Sequence, residues 1–177
     1  MTMTINGSGT ITGLSAGGLP DATIVQADLA AGVAGNGPAF SAYQSTLQNL
    51  TANTYTKLQV QTEEFDTNSY FNNTGSTVGS IPPYAFLPNI AGYYTVSIGC
   101  QLATTAADVR TSIYKNGSNF KNVGASAPSS NWTEGSALVY LNGSTDYIEA
   151  YVLSTATNTT YNNQAATFFQ AVLVRAA

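Results

Sequence analysis

The chain predicts an all-β sandwich of jelly-roll type. Three observations carry that expectation: β-branched and aromatic runs of strand length recur between turn signals, two Asn-Gly pairs stand between such runs, and no long helical periodicity follows residue 50. At 177 residues the chain is long enough for one ordinary core and an appendage, so a single folded domain is expected.

Residues 1–37 are set apart by composition. They are rich in Gly, Ala, Thr and Ser and carry no aromatic residue, so they bury too little to fold alone. Ile5, Ile11, Leu14, Ile24, Val25 and Leu29 are nonetheless spaced for burial against something else. The run from Asp21 to Gly32 reads as one short helix, with Asp21 or Thr23 as N-cap and Gly32 as its stop. Composition shifts after Pro38, which places the boundary between a leader (1–37) and a head (38–177).

Within the head, Ala39 to Gln44 reads as the opening strand and Thr54 to Gln61 as a second one, leading through Glu63, Glu64 and Asp66 into a long loop from Thr67 to Ser80. Phe86 to Cys100 passes from a Pro- and Gly-bearing approach into a β-rich run and reads as a central strand. Val109 to Phe120 is expected to be a hairpin turning at Asn116-Gly117, because a type I′ turn requires positive φ at both central residues. Ser136 to Val152 repeats the arrangement at Asn142-Gly143, with Val139, Leu141, Ile148, Ala150 and Val152 on its core face. A loop from Asn122 to Thr133 holds the only tryptophan, Trp132, and Ala165 to Arg175 reads as a closing strand.

Only 8% of residues are charged, against about 25% in ordinary soluble domains, so the surface is expected to be neutral and rich in hydroxyls and amides. A net charge of −4 with 5 Lys and Arg gives no footprint for nucleic acid. No apolar run approaches the roughly 20 residues that span a bilayer, so no membrane insertion is expected. The start lacks the basic and apolar regions of a signal peptide, and the single cysteine, Cys100, is expected to be a buried small hydrophobe.

Without histidine, Ser-His-Asp and Cys-His chemistry has no base. Glu63, Glu64 and Asp66 could ligate Ca²⁺ or act as a glycosidase pair, but a solvated strand end is the expected reading. Asp146 is expected to cap its turn. The chain is therefore read as a non-enzyme with no cofactor and no metal. Asn72, Asn73, Asn131 and Trp132 are the candidate receptor contacts, an aromatic ring and amides suited to a glycan.

Several motifs in fixed order carry a resemblance. Phe86-x-Pro88-x-x-Ala91-Gly92-Tyr93-Tyr94, Ile113-Tyr114-Lys115-Asn116-Gly117-Ser118, Val139 to Glu149, and Phe168 to Arg175 together resemble the C1q/tumour-necrosis-factor superfamily, above all the C1q-like domains of tailed-bacteriophage fibre and decoration proteins. Aromatic residues of the animal C1q pattern are replaced here by Val96 and Ile98. The resemblance implies a jelly roll assembled as a homotrimer, with Phe40, Tyr43, Tyr94, Tyr151, Phe168 and Phe169 as candidate interface residues. Three copies of the leader would then meet as a collar through Ile24, Val25 and Leu29.

Taken with the leader, the resemblance implies a virion structural protein, made in the host cytoplasm. Its leader would dock on another virion protein of capsid, tail or fibre, and its head would adhere to the host surface or stabilise the particle. A free-standing carbohydrate-binding module is the alternative, and a carboxylate-based glycan hydrolase a weaker one.

Overall fold

The computed structural model of the protein describes residues 4–5, 11–12, 36–104, 107–126 and 130–177. The chain divides into two compact units, Met1–Ala30 and Ala31–Ala177. In the first, β1 (Thr4–Ile5) pairs antiparallel with β2 (Ile11–Thr12), which sets Ile5 opposite Ile11. The short helix expected between Asp21 and Gly32 and the positions Leu14, Ile24, Val25 and Leu29 lie outside the described residues.

The second unit is all-β, with no helix among its described residues. Its strands are β3 (Ala39–Tyr43), β4 (Asn49–Leu50), β5 (Thr56–Lys57), β6 (Thr62–Asp66), β7 (Ala85–Phe86), β8 (Gly92–Gln101), β9 (Val109–Lys115), β10 (Ser118–Ala125), β11 (Trp132–Leu141), β12 (Ile148–Ser154), β13 (Asn158–Thr159) and β14 (Phe168–Ala176). One five-stranded sheet runs β10-β9-β12-β5 with β7 also on β12; the other runs β11-β8-β14-β3-β6. Every pairing is antiparallel, so each strand can bury one face and leave the other outside.

The inward faces meet in one core. Phe40 stacks on Phe71 at 4.4 Å and on Phe86 at 4.6 Å, and Phe169 meets it edge-on at 5.0 Å. Such pairs add about 0.5–1.5 kcal/mol each beyond the area they bury. Tyr94 joins them, and its hydroxyl donates to the Ile90 carbonyl at 2.7 Å, which satisfies the one polar atom that ring brings into the interior. Cys100 is buried as expected, and burial pushes its thiol up to about 12.

The run from Phe86 to Cys100 does contain an interior strand, β8, flanked by β11 and β14. The hairpin at Asn116-Gly117 also forms, with φ of 53° and 75° at its central residues. The second expected hairpin does not. β11 pairs with β8 and β12 with β9, so the chain crosses between sheets at Asn142-Gly143 instead of folding back beside itself. The burial pattern of a hairpin and of a sheet-to-sheet corner is the same, and Val139, Leu141, Ile148, Ala150 and Val152 all face the core.

Local chemistry explains the corner. Asn142 Oδ1 accepts from the backbone N–H groups of Ser144, Thr145 and Asp146 at 2.9–3.0 Å. Gly143 takes φ of 70°, and a Cβ there would stand 2.3 Å from the Ala91 nitrogen. Asp146 ties the corner to the first hairpin: it accepts from Asn116 Nδ2 at 2.8 Å and pairs with Lys115 Nζ at 2.7 Å.

A pH dependence arises from that cap. Burial pushes the Asp146 carboxyl up, but hydrogen bonds from Lys115 and Asn116, the Lys115 charge and the Asn142 N–H outweigh it and hold the group below its usual value. A lowered folded pKa means that the carboxylate stabilises the fold above its unfolded pKa, and that this contribution is lost as pH falls through the folded value. Asp146→Asn is expected to lower stability at pH 7 by about 1 kcal/mol. Urea midpoints should show the gap between the two proteins closing toward pH 2.

Two further expectations need correction. Only Thr56–Lys57 of the second expected strand is paired, because beyond Leu58 the backbone bonds a side chain: Gln59 N donates to Gln48 Oε1 at 3.0 Å. The segment after it, read as a strand end leading to a loop, is instead the edge strand β6 on β3.

Candidate functional site

The outward face of the β11-β8-β14-β3-β6 sheet carries an apolar patch that the second unit leaves exposed. Along β8, alternation turns Tyr94, Val96 and Ile98 inward and leaves Tyr93, Thr95 and Ser97 outside. Register extends these positions into rows across the sheet. Tyr140 lies beside Tyr93; Leu138, Thr95, Val172 and Ala39 form the next row; Ser136, Ser97, Gln170, Ser41 and Phe65 form a third.

Among the described residues, eleven large apolar side chains are exposed, and seven of them lie on this face: Phe65, Tyr93, Trp132, Leu138, Tyr140, Val172 and Val174. Single exposed apolar residues need no explanation, but a contiguous set marks an interaction surface: Tyr93, Leu138, Tyr140, Val172 and Val174 form one, while Trp132 stands apart beyond Ser136 and Glu134. The face is also relieved, not flat. Phe65, Thr95 and Val172 border a hollow of about 290 Å³, and Glu134, Ser136, Gln170 and Phe168 border another of about 330 Å³. Phe168 lies across Gly99, where a Cβ would come within 2.3 Å of its ring.

The six expected interface aromatics are divided by the structure. Tyr43 and Phe168 pair on this outward face. Phe40, Tyr94 and Phe169 are no more than 1% exposed, turned inward by the same alternation, and a side chain sealed by its own chain reaches no partner. Tyr151 sits on the outward side of the opposite sheet, stacked on Tyr114 at 3.7 Å. Sequence reasoning missed Tyr93, Val172 and Val174, although strict alternation along β8 and β14 was the signal for them.

The four candidate receptor contacts do not converge. Asn72 is buried, and its Nδ2 is used by the carbonyls of Ser76, Ile81 and Pro82. Asn73 follows it in that loop, held beside β7 through Asn72 N and the Ala85 carbonyl. Asn131 donates to the Leu102 carbonyl at 2.7 Å, and only Trp132 is well exposed. Trp132 opens β11, whereas the Asn72 loop lies by β7 and the start of β12, beyond that strand's other end. At 3.4 Å per residue β11 alone spans roughly 30 Å.

The carboxylates are likewise committed locally. Glu64 accepts from Ser41 and Gln164, and these bonds hold it below its usual value. Asp66 accepts from the N–H groups of Asn68 and Phe71 and ties down the start of the loop. Burial, and then the Asp66 charge, push Glu63 up. No group of three or more Asp, Glu, Cys or His side chains among the described residues is arranged to hold a metal ion. Among those residues no helix is long and apolar enough to cross a membrane.

No protein-family model matches this chain, and no curated protein matches it by sequence. Solved structures do match by shape. Murine APRIL is similar with a TM-score of 0.58 at 10% identity, covering 77% of this chain and 98% of its own. The globular domain of zebrafish complement 1qA protein is similar at 0.53 and 13%, covering 79% of this chain and 99% of its own. The PRD1 vertex protein P5 is similar at 0.51 and 14%, covering 78% and 73% respectively. The fold is thus the TNF/C1q-like jelly roll, an antiparallel sandwich.

Proposed function

We propose that this jelly roll is a virion structural protein of a tailed bacteriophage: a homotrimer that docks on another virion protein through residues 1–37 and projects the head, 38–177, for host-surface adhesion or particle stabilisation. The observation that carries the proposal is the apolar patch on the outward face of the β11-β8-β14-β3-β6 sheet, which the second unit leaves exposed. Three copies would cover it with Tyr43 and Phe168 joined by Tyr93, Leu138, Tyr140, Val172 and Val174. A phage vertex protein shares the fold, which supports a virion setting.

The leader supports the docking role by composition. Ile5, Ile11, Leu14, Ile24, Val25 and Leu29 give it apolar anchors that it has too little mass to bury alone. Within the head, Trp132 remains the exposed member of the receptor set.

Particles produced with the whole chain and with residues 1–37 deleted discriminate this reading. Labelling with an antibody to the head is expected to decorate only the former, while the deleted protein stays folded and free in solution. Equal labelling of both would overturn the docking role of the leader, and labelling of neither would overturn the virion assignment.

A further inference from the structure

The opposite sheet carries a different surface. On the outward side of β12 stand Glu149 and Tyr151, whose register partners are Tyr114 and Ser112 on β9, and Lys57 on β5 lies beside Tyr151. Tyr114 is stacked face to face with Tyr151, 3.7 Å between centroids, and Tyr55 tilts against it at 6.1 Å. Two phenol rings on adjacent strands and a third just ahead of β5 therefore cluster on this side, all partly exposed. None belongs to the face of the other sheet that the trimer would cover, Tyr151 included, although the sequence made it an interface candidate.

Polar groups at this platform are left unmatched. Glu149 is 2% exposed; Lys57 pairs with Oε1, but Oε2 has no hydrogen-bond partner. Buried this deeply, Oε2 is out of a docked ligand's reach, and the carboxylate acts on the platform through its charge on the phenols. The hydroxyls of Tyr114, Tyr147 and Tyr151 also make no hydrogen bond within the described residues. Burial first, and then the Glu149 charge, push Tyr151 up to about 12 and Tyr147 up as well, so both phenols remain protonated donors at neutral pH.

At the edge, Asn122 Oδ1 accepts from Tyr55, Ser112 and Asn119, which fixes its amide and leaves Nδ2 to donate outward. Lys57 is held in place by a second bond to the Pro83 carbonyl at 3.2 Å and offsets the Glu149 charge. Around Tyr114 and Tyr151 the surface therefore combines aromatic rings, phenol and amide donors and a Lys57–Glu149 pair of no net charge, with Arg110 exposed one row beyond on the same side of β9. A cation finds no excess negative charge here, and the positive charge of Arg110 stands at the margin of the rings, not among them. A pyranose ring supplies the complement: an apolar C–H face to lie on tyrosine, and hydroxyls that both donate and accept.

We infer that the outward side of the β5-β12-β9-β10 sheet, centred on Tyr114, Tyr151 and Glu149, is a binding platform for a neutral saccharide. It is built within one chain and holds for a free-standing module as well as for a virion head, so it does not rest on the trimer.

Affinity electrophoresis of the full chain through gels containing dextran, galactomannan or xylan tests it. At least one polysaccharide is expected to retard the protein. Tyr114→Ala and Tyr151→Ala are expected to weaken that binding at least tenfold, and Tyr151→Phe, which keeps the ring and the fold, severalfold. Tyr161→Ala, exposed elsewhere, should migrate as the unaltered chain does. Sedimentation of the same samples reports the oligomeric state separately, so loss of sugar binding and failure of the trimer are distinguishable. No retardation in any gel, or retardation that the Tyr114 and Tyr151 variants share fully, overturns the inference.

Discussion

Leu138→Glu is expected to turn a trimer of three times the 18.4 kDa chain mass into folded monomers at micromolar concentration. Leu138 is 51% exposed and stands on the edge strand β11, at the end of a row with Thr95, Val172 and Ala39 and beside Tyr93 and Val174. Burying a leucine against partners is worth about 1.5–3 kcal/mol, and an unpaired carboxylate taken out of water costs several kcal/mol more. Symmetry applies both changes at each of three contacts. The fold itself should persist, because the side chain points away from the core. Sedimentation velocity measures the outcome, with unchanged circular dichroism as the control. An unaltered chain that is monomeric at micromolar concentration removes the trimer proposal.

The second large effect concerns the side of the sandwich where β10 passes β11. A Cβ on Gly135 would stand 1.8 Å from the Val123 carbonyl oxygen and 2.4 Å from its carbon, both backbone atoms that cannot rotate aside. Gly124 is tight as well, with the hydroxyls of Thr111 and Thr133 2.6 Å from its Cβ position. Gly135→Ala is therefore expected to destabilise by about 3 kcal/mol or more, since one of the two strands must shift. Gly79 offers the contrast. It has φ of 59° with open space around it, so Gly79→Ala pays only the left-handed backbone term of about 1–2 kcal/mol. Urea unfolding of both variants separates a steric clash from a purely conformational cost.

Much of the fold was legible because its causes are local. Asn116-Gly117 encodes a turn through its own φ preferences, and alternation names the inward residues of a strand whatever strand lies next to it. That is why Val139, Leu141, Ile148, Ala150 and Val152 were identified as core although their hairpin was not formed. The site was less legible. Phe40, Tyr94 and Phe169 are aromatic in the same way as Tyr43 and Phe168, and composition does not say which side of a strand faces a partner.

Sequence alone determined an all-β sandwich, its interior strand β8, the first hairpin and the buried Cys100. These depend on backbone preferences and on the period of two, which belong to residues and their near neighbours. Only the tertiary structure decided that Asn142-Gly143 is a corner between sheets, that Asn72 serves its own loop, and that Tyr55, Tyr114 and Tyr151 converge beside Glu149. Each of those depends on pairing between strands distant in the chain, and the identity of a distant partner is not written in either strand.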